Sequence, residues 1–138
     1  MTTTRRQLLA AAALPLCAPL AACAQAPQAA PALPLIKPRR LRPGDTVALV
    51  NPSGAIYERA PYEIAAESLR ALGFRVKEAP NLRARYGHFA GTDAQRAGDI
   101  NAMFADPSVH GILAMTGGSG GGRILPLIDY DNIRRNPK

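Results

Sequence analysis

The residues best suited to chemistry form a glycine-rich turn, residues 117–122, in which five of the six residues are glycine. Glycine lets backbone N–H groups approach a ligand closely, because no Cβ stands in the way. The turn follows an apolar run and precedes a short helical pattern. Ligands of open α/β sheets bind beyond the carboxyl ends of such strands. The turn is therefore a candidate cradle for an anion or an oxyanion.

Three known motifs can be compared with the glycine-rich turn. A dinucleotide fingerprint beginning at Gly118 needs a third glycine where Arg123 stands, and a P-loop needs a lysine directly after Gly122, where Arg123 stands instead. A nucleophile elbow, Gly-x-Ser-x-Gly, fits residues 117–121 and makes Ser119 the candidate nucleophile. Since so many glycines match several patterns by chance, the alternative is a tight turn with Ser119 merely exposed.

Other polar residues offer weaker signals. Ser53 follows an apolar run and could bind a ligand through its hydroxyl or backbone, or it could simply be a turn serine in Pro-Ser-Gly. Asp93 is interpreted as part of a helix cap, and Asp99 as a residue on a solvated helix face. His88 is expected at the surface and His110 in a structural place at the start of a strand. Spacing alone assembles no Ser-His-Asp triad, because triad partners can lie far apart in sequence.

Apolar periodicity predicts the elements that must position these residues. The predicted strands are 46–51, 74–78 and 110–115, and the predicted helices are 61–72 and 93–104. Gly73 is expected to end the first helix and Thr92-Asp93 to begin the second. The alternation predicts an α/β fold, with three or more largely parallel strands flanked by helices in a flavodoxin- or Rossmann-like arrangement. Helical spacing turns these residues inward: Ile64, Ala65, Leu69, Leu72, Ala94, Ala97, Ile100, Met103 and Phe104.

The N-terminal residues 1–23 have the pattern of a signal peptide, with Arg5-Arg6 before an uncharged stretch, as in a twin-arginine export signal. The run ending at Cys23 is similar to a lipobox, in which the cysteine becomes lipidated; the alternative is ordinary cleavage near Ala22 or Ala24. Residues 24–35 are interpreted as an Ala/Pro linker and 36–138 as the folded domain. The protein is therefore expected to be exported to the periplasm and to contact the membrane only through its leader or a lipid.

Composition excludes several classes of function. The chain has 138 residues, a formal charge of +7, 5% aromatic residues and no Trp. Because base stacking on aromatic side chains is the usual basis of single-strand binding, a nucleic-acid partner is not expected. Both cysteines lie in the leader, which excludes a cysteine-based zinc site in the domain. The positive charge is interpreted as an arginine-rich bias, with attraction to acidic wall polymers or lipid head groups as the alternative.

Several segments in order carry a family resemblance. They are Leu41-Arg42-Pro43-Gly44-Asp45, Val50-Asn51-Pro52-Ser53-Gly54, Phe89-Ala90-Gly91-Thr92-Asp93, Gln95-Arg96-Ala97, Gly117-Gly118-x-Gly120, Arg123-Ile124-Leu125-Pro126, Asp129-Tyr130 and Asn136-Pro137-Lys138. This set resembles the LD-carboxypeptidases (muramoyltetrapeptide carboxypeptidases), a family of serine peptidases. The resemblance covers residues 36–138 and corresponds to the N-terminal domain of a two-domain enzyme.

The resemblance implies hydrolysis of the bond between the L-centre of meso-diaminopimelate and the terminal D-alanine of a cell-wall tetrapeptide. In the family a serine attacks, a histidine acts as base and a glutamate orients it. By this resemblance the backbone amides of Gly117 and Gly118 hold the oxyanion. Ser53 and Gly54 are further candidates for binding the oxyanion or the substrate. The resemblance implies no metal or cofactor, a muropeptide as partner and a homodimer of the full-length form.

Two departures from the family pattern stand out. The family's histidine and glutamate belong to a C-terminal domain, so the chain is expected to be truncated, to be inactive alone and to expose an apolar face near Arg123 and Ile133. The family serine falls at Gly121 or Gly122, both glycine here, which leaves Ser119 as the substitute nucleophile. The alternatives are a non-catalytic lipoprotein that binds peptidoglycan peptides, an inactive remnant, or a small anion-binding domain.

Overall fold

The computed structural model describes residues 35–138. The predictions for the leader 1–23, including Cys23, and for nearly all of the linker 24–35 lie outside the described residues. Within residues 35–138, no helix is long and apolar enough to cross a membrane.

A three-stranded parallel sheet forms the centre of the fold, in the order β2-β1-β3. The strands are β1 (Thr46–Val50), β2 (Arg75–Glu78) and β3 (Gly111–Ala114). Val47 of β1 lies opposite Val76 on one side and Gly111 on the other. The predicted α/β fold with parallel strands is confirmed.

Four α-helices and one 3₁₀ turn complete the described part of the chain. They are α1 (Ala60–Ala71), α2 (Asp93–Ala105), α3 (Gly121–Ile124), the 3₁₀ turn Leu125–Leu127 and α4 (Tyr130–Arg135). Gly73, with a φ of 86°, follows α1 as predicted. Thr92 begins α2 through a capping box with Gln95. Local sequence signals therefore set the C-terminal end of α1 and the N-terminal end of α2.

Two apolar clusters cover opposite faces of β1, because successive side chains of a strand point to opposite faces. Ala48 and Val50 pack with Met103 of α2. Leu49 packs with Tyr62 and Ala66 of α1. Helices on both faces of a parallel sheet define a doubly wound fold. This arrangement buries the central strand almost completely.

The inward faces of both helices differ from the prediction. In α1, Ile64 is 62% exposed, whereas Tyr62 is 3% exposed. The Tyr62 hydroxyl donates to the buried carbonyl of Leu82, at 3.2 Å, so the tyrosine and not the isoleucine faces the sheet. In α2, the predicted inward residue Ala94 is exposed.

Asp99 of α2 was expected to be solvated and is instead 4% exposed. Its carboxylate accepts from the backbone N–H of Asn81 at 3.0 Å and from the Asn81 side-chain amide at 2.8 Å. These donors satisfy the buried oxygens, as burial of a polar group requires. The burial also raises the pKa of Asp99.

The turn that precedes β1 is organised by Asp45. Its carboxylate accepts from the Arg39 guanidinium at 2.7 Å and from the backbone N–H of Arg42 at 2.8 Å. These two donors, Arg39 foremost, hold the pKa of Asp45 at about 2, below the ordinary value of 3.8. Asp45 thus fixes the point at which the chain enters the sheet.

Replacing Leu49, which is 0% exposed, should destabilise the domain strongly. Leu49→Ala removes buried methyl groups and leaves a cavity, so we expect a loss of about 2–5 kcal/mol in urea unfolding. Ile64→Ala is the matched control and should change stability by no more than about 0.5 kcal/mol, because Ile64 faces solvent. Equal losses in the two variants would contradict this assignment of the core.

Removing the Asp45 carboxylate should change the pH dependence of stability. Its folded pKa lies below the unfolded one, so its contribution is present above about pH 4 and is lost as pH falls toward 2. We expect the urea midpoint of Asp45→Asn to lie below that of the wild type at about pH 6, and the difference to shrink across that window. A difference as large at pH 2 as at pH 6 would contradict the argument. Asp131→Asn, at a carboxylate 79% exposed, is the control at pH 6.

Candidate functional site

The candidate site lies at the carboxyl ends of β1 and β3, where the sheet order changes direction. The chain leaves β1 toward α1 on one face and leaves β3 toward α3, which packs with α2 on the other face. In doubly wound folds the usual ligand site lies beyond strand ends at which the chain diverges in this way. We call this region, at the loops that follow β1 and β3, the crevice. The glycine-rich turn is one side of this crevice.

Ser53 joins the two loops. It follows β1, is 1% exposed, and its hydroxyl donates to the backbone carbonyl of Ser119. Ala90 in turn donates its backbone N–H to the carbonyl of Ser53, at 3.0 Å. The hydroxyl of Ser53 is thus directed at the glycine-rich turn, 66 residues away in sequence.

Arg96 of α2 is the largest fully buried side chain of the domain, at 1% exposure. One terminal nitrogen of its guanidinium donates to the carbonyl of Pro52 at 2.6 Å and to that of Gly120 at 3.0 Å. The other donates to the Asp93 carboxylate. A buried charge is tolerated only when it is paired and hydrogen-bonded. These contacts pair the charge and satisfy both terminal nitrogens, whereas the buried Nε has no hydrogen-bond partner among the described residues.

Asp93 and Phe89, which both contact Arg96, also contact a second arginine, Arg123. Arg123 donates to the Asp93 carboxylate from two nitrogens, at 3.0 and 2.8 Å. Arg123, and after it Arg96, hold the pKa of Asp93 below its ordinary value. The guanidinium carbons of Arg96 and Arg123 lie 5.0 and 5.4 Å from the centre of the Phe89 ring. Two arginines with one carboxylate leave an excess of positive charge beside the glycine-rich turn.

The glycines of the turn differ in whether a side chain would fit at their position. Gly120 has a φ of 92°, and a Cβ there would come within 2.6 Å of the Phe89 ring and 3.2 Å of the Arg96 guanidinium. A Cβ on Gly121 or Gly122 would meet nothing within 4 Å. Gly120 must therefore be glycine, whereas the two following positions can accept a side chain.

The remaining contacts hold the strand ends together. The Thr116 hydroxyl lies within hydrogen-bond distance of the Asn51 side-chain oxygen and, at 3.1 Å, of the Gly54 carbonyl. Asn51 is 3% exposed and also bonds to the Tyr62 hydroxyl at 3.4 Å. Within residues 35–138, no backbone carbonyl accepts from the N–H of Gly117 or Gly118. These two amides therefore have no backbone acceptor among the described residues.

The structure brings most of the sequence-predicted site residues together. Ser53 contacts Ser119, Gly54 contacts Thr116, and Gly117 and Gly118 lie between them. Ser119 itself is exposed.

The two histidines lie at opposite ends of the sheet. The exposed His88 is at the same end as the crevice, with its Nε2 4.0 Å from where a Cβ on Gly54 would stand. His110 lies at the other end, where its Nδ1 accepts the Thr46 N–H at 3.0 Å. Cys23 lies outside the described residues.

Sequence reasoning did not single out Arg96, Asp93 and Phe89 as neighbours of the site. A signal was present: Asp93 and Arg96 are opposite charges three residues apart in the first turn of a helix, the spacing of a facing pair. The pairing of Arg96 with Pro52 and Gly120 has no local signal, because those residues are 44 and 24 positions away.

Comparison with known proteins identifies the family of the chain. The family model of the LD-carboxypeptidase N-terminal domain matches residues 47–138. This range is most of the chain and includes both loops of the crevice. The chain belongs to the LD-carboxypeptidase family. The resemblance seen in the sequence is thereby confirmed.

Individual members of the LD-carboxypeptidase family show how much is shared. A probable murein peptide carboxypeptidase of Bacillus subtilis is 37% identical over 102 residues, covering 74% of this chain and 32% of its own length. The murein tetrapeptide carboxypeptidase of Pseudomonas aeruginosa is 31% identical over 88 residues, covering 64% of this chain and 28% of its own length. The chain thus spans about a third of the length of the curated relatives it matches.

A solved structure shares the fold. It is the microcin C7 self-immunity protein MccF, in an active-site mutant in which a serine, an asparagine and a lysine are replaced by alanine. The TM-score is 0.71 at 25% identity, and the match covers 75% of this chain and 32% of that one.

The two kinds of glycine should respond differently to substitution in this LD-carboxypeptidase domain. Gly120→Ala adds a methyl group against Phe89 in a left-handed conformation, so we expect a loss of more than about 2 kcal/mol in urea unfolding. Gly122→Ala adds the same group in open space within α3 and should leave stability unchanged or slightly higher. Equal effects would show that the turn is not packed as described.

Proposed function

We propose that the protein functions as an LD-carboxypeptidase that hydrolyses the bond between the L-centre of meso-diaminopimelate and the terminal D-alanine of a cell-wall tetrapeptide. The observation that carries this proposal is the glycine-rich turn, which buried side chains hold at the junction of β1 and β3 within a domain of this family. The names of the Bacillus and Pseudomonas relatives support the substrate class.

The turn offers the electrostatic part of such a reaction. Attack on the peptide carbonyl creates an oxyanion, and donors aimed at that oxygen lower the barrier. The amides of Gly117 and Gly118 have no acceptor among the described backbone carbonyls and are the proposed donors. The excess positive charge of Arg96 and Arg123 over Asp93 favours negative charge at the same place.

Ser119 is the proposed nucleophile. It is the one hydroxyl within the glycine-rich turn, and its side chain is exposed while its carbonyl is anchored to Ser53. A serine among the active-site residues replaced in the MccF mutant supports a serine mechanism. By family resemblance the base and its orienting carboxylate are a histidine and a glutamate outside the 138 residues, in the length that the relatives have beyond this match.

A second candidate function is binding of the same peptide without hydrolysis. The absence of a side chain at Gly121 and Gly122, where the family serine falls, favours it. In this case the anchored turn would hold a peptide carbonyl or carboxylate, with no bond broken. Both candidates use the same crevice and differ only in the product.

We propose that either function takes place outside the cytoplasm, beside the cell wall. The support is the leader 1–23, with Arg5-Arg6 before an uncharged stretch, and the lipobox-like run that ends at Cys23. Lipidation of Cys23 would hold the domain at a membrane surface, and the linker 24–35 would separate it from the lipid.

The protein isolated from its own cells should release D-alanine from the murein tetrapeptide. Because a reaction that loses its nucleophile keeps only residual rate, Ser119→Ala should lower kcat by about 10³-fold or more. Chiral chromatography of the released alanine measures this directly. Ser68→Ala, at an exposed position of α1, is the matched control and should keep full activity.

Two outcomes would contradict parts of the proposal. Full activity of Ser119→Ala would remove Ser119 as nucleophile and leave the carboxypeptidase assignment standing. Binding of the tetrapeptide in calorimetry, with no D-alanine released, would overturn hydrolysis in favour of the binding function.

A further inference from the structure

We propose that Ser53 and Arg96 are positioning residues that set the peptide orientations of the glycine-rich turn and thereby turn the Gly120 amide outward, away from the buried donors. The orientation follows from the structure alone. Only its use, in which the Gly120 amide is a further donor to the reacting oxygen, rests on the proposed function.

Two consecutive carbonyls of the turn are held by buried donors. The Ser119 carbonyl accepts from the Ser53 hydroxyl, and the Gly120 carbonyl accepts from Arg96 at 3.0 Å. Ser53 and Arg96 are each 1% exposed, so water does not compete for these donors. Both carbonyls therefore point into the protein.

Because the peptide bond is planar, the direction of each carbonyl fixes the direction of the N–H that follows it. In a planar trans peptide the C=O and the following N–H point in opposite directions, and the described part of the chain contains no cis peptide bond. Since the Ser119 carbonyl points inward, the N–H of Gly120 points outward. No backbone carbonyl within residues 35–138 accepts from it.

The next peptide closes the turn. The N–H of Gly121 donates to the Gly118 carbonyl at 3.2 Å, opposite the inward carbonyl of Gly120. This bond depends on the orientation that Arg96 imposes. The N–H of Gly121 therefore reports whether the turn is held.

Arginine suits this role better than lysine. One terminal nitrogen of Arg96 bridges the Pro52 and Gly120 carbonyls, while the other pairs with Asp93. A planar guanidinium presents its donors in a fixed fork, whereas an ammonium is a single point with rotatable donors. A lysine at position 96 would not reproduce this fork, in which one nitrogen bridges two carbonyls while the other pairs with Asp93.

Amide hydrogen exchange measured by NMR tests the positioning. In Ser53→Ala and in Arg96→Lys, the Gly121 amide should exchange about tenfold faster or more, because the turn loses a buried hydrogen bond. The Met115 amide, which donates to the Val50 carbonyl at 2.8 Å, should keep its rate. Ser53→Ala is the milder variant and decides the question if Arg96→Lys does not fold.

Two matched controls accompany these variants. Ser108→Ala removes a hydroxyl that donates to Asp106 at 2.7 Å, at the far end of α2. Arg123→Met removes a guanidinium that touches Asp93 and Phe89 but no carbonyl of the turn. Both should leave the Gly121 amide unchanged. An unchanged Gly121 amide in Ser53→Ala, or equal acceleration at Gly121 and Met115, would overturn the positioning role.

Kinetics test the use of the Gly120 amide separately. Ser53→Ala should lower kcat for D-alanine release by about tenfold or more with little change in KM, because the donor acts on charge that develops during reaction. A raised KM with unchanged kcat would overturn that use. If the wild type releases no D-alanine, the proposed function and the use of this amide both fail, and the exchange data still decide the positioning.

Discussion

The burial of one guanidinium is the constraint on which the site depends. Arg96 is taken out of water within α2, and a buried cation must find a counter-charge and acceptors or the fold loses several kcal/mol. Its partners are the Asp93 carboxylate and the carbonyls of Pro52 and Gly120. Because these belong to α2, to the loop after β1 and to the glycine-rich turn, one side chain fixes three segments relative to one another.

The sheet order explains why a side chain is needed at this place. The chain leaves the adjacent strands β1 and β3 toward opposite faces, so the loops that follow share no continuous backbone hydrogen bonding. Ser53 and Arg96 replace it with side-chain contacts to the carbonyls of Ser119 and Gly120. Side chains thus hold the two loops in register.

The glycines of the turn follow different constraints. Gly120 has no room for a Cβ beside Phe89 and Arg96, so the packing of the arginine requires glycine there. Gly121 and Gly122 have open space, so packing does not dictate glycine at the positions where the family serine falls. The packing of the fold therefore does not explain why glycine stands at these positions. The departure from the family pattern is the feature that distinguishes the two proposed functions.

The sequence by itself determined the elements, their order and the α/β fold, because these depend on signals within a few residues: apolar periodicity, the capping residue Thr92 and the terminating Gly73. The family came from the resemblance carried by several short segments in order, such as Val50-Asn51-Pro52-Ser53-Gly54. Only the tertiary structure decided that Asp99 is buried and Ile64 exposed, and that Ser53 and Arg96 hold the glycine-rich turn. Such choices depend on partners as far as 66 residues away, which no local pattern specifies. A polar side chain enters the interior only when such a partner meets it there.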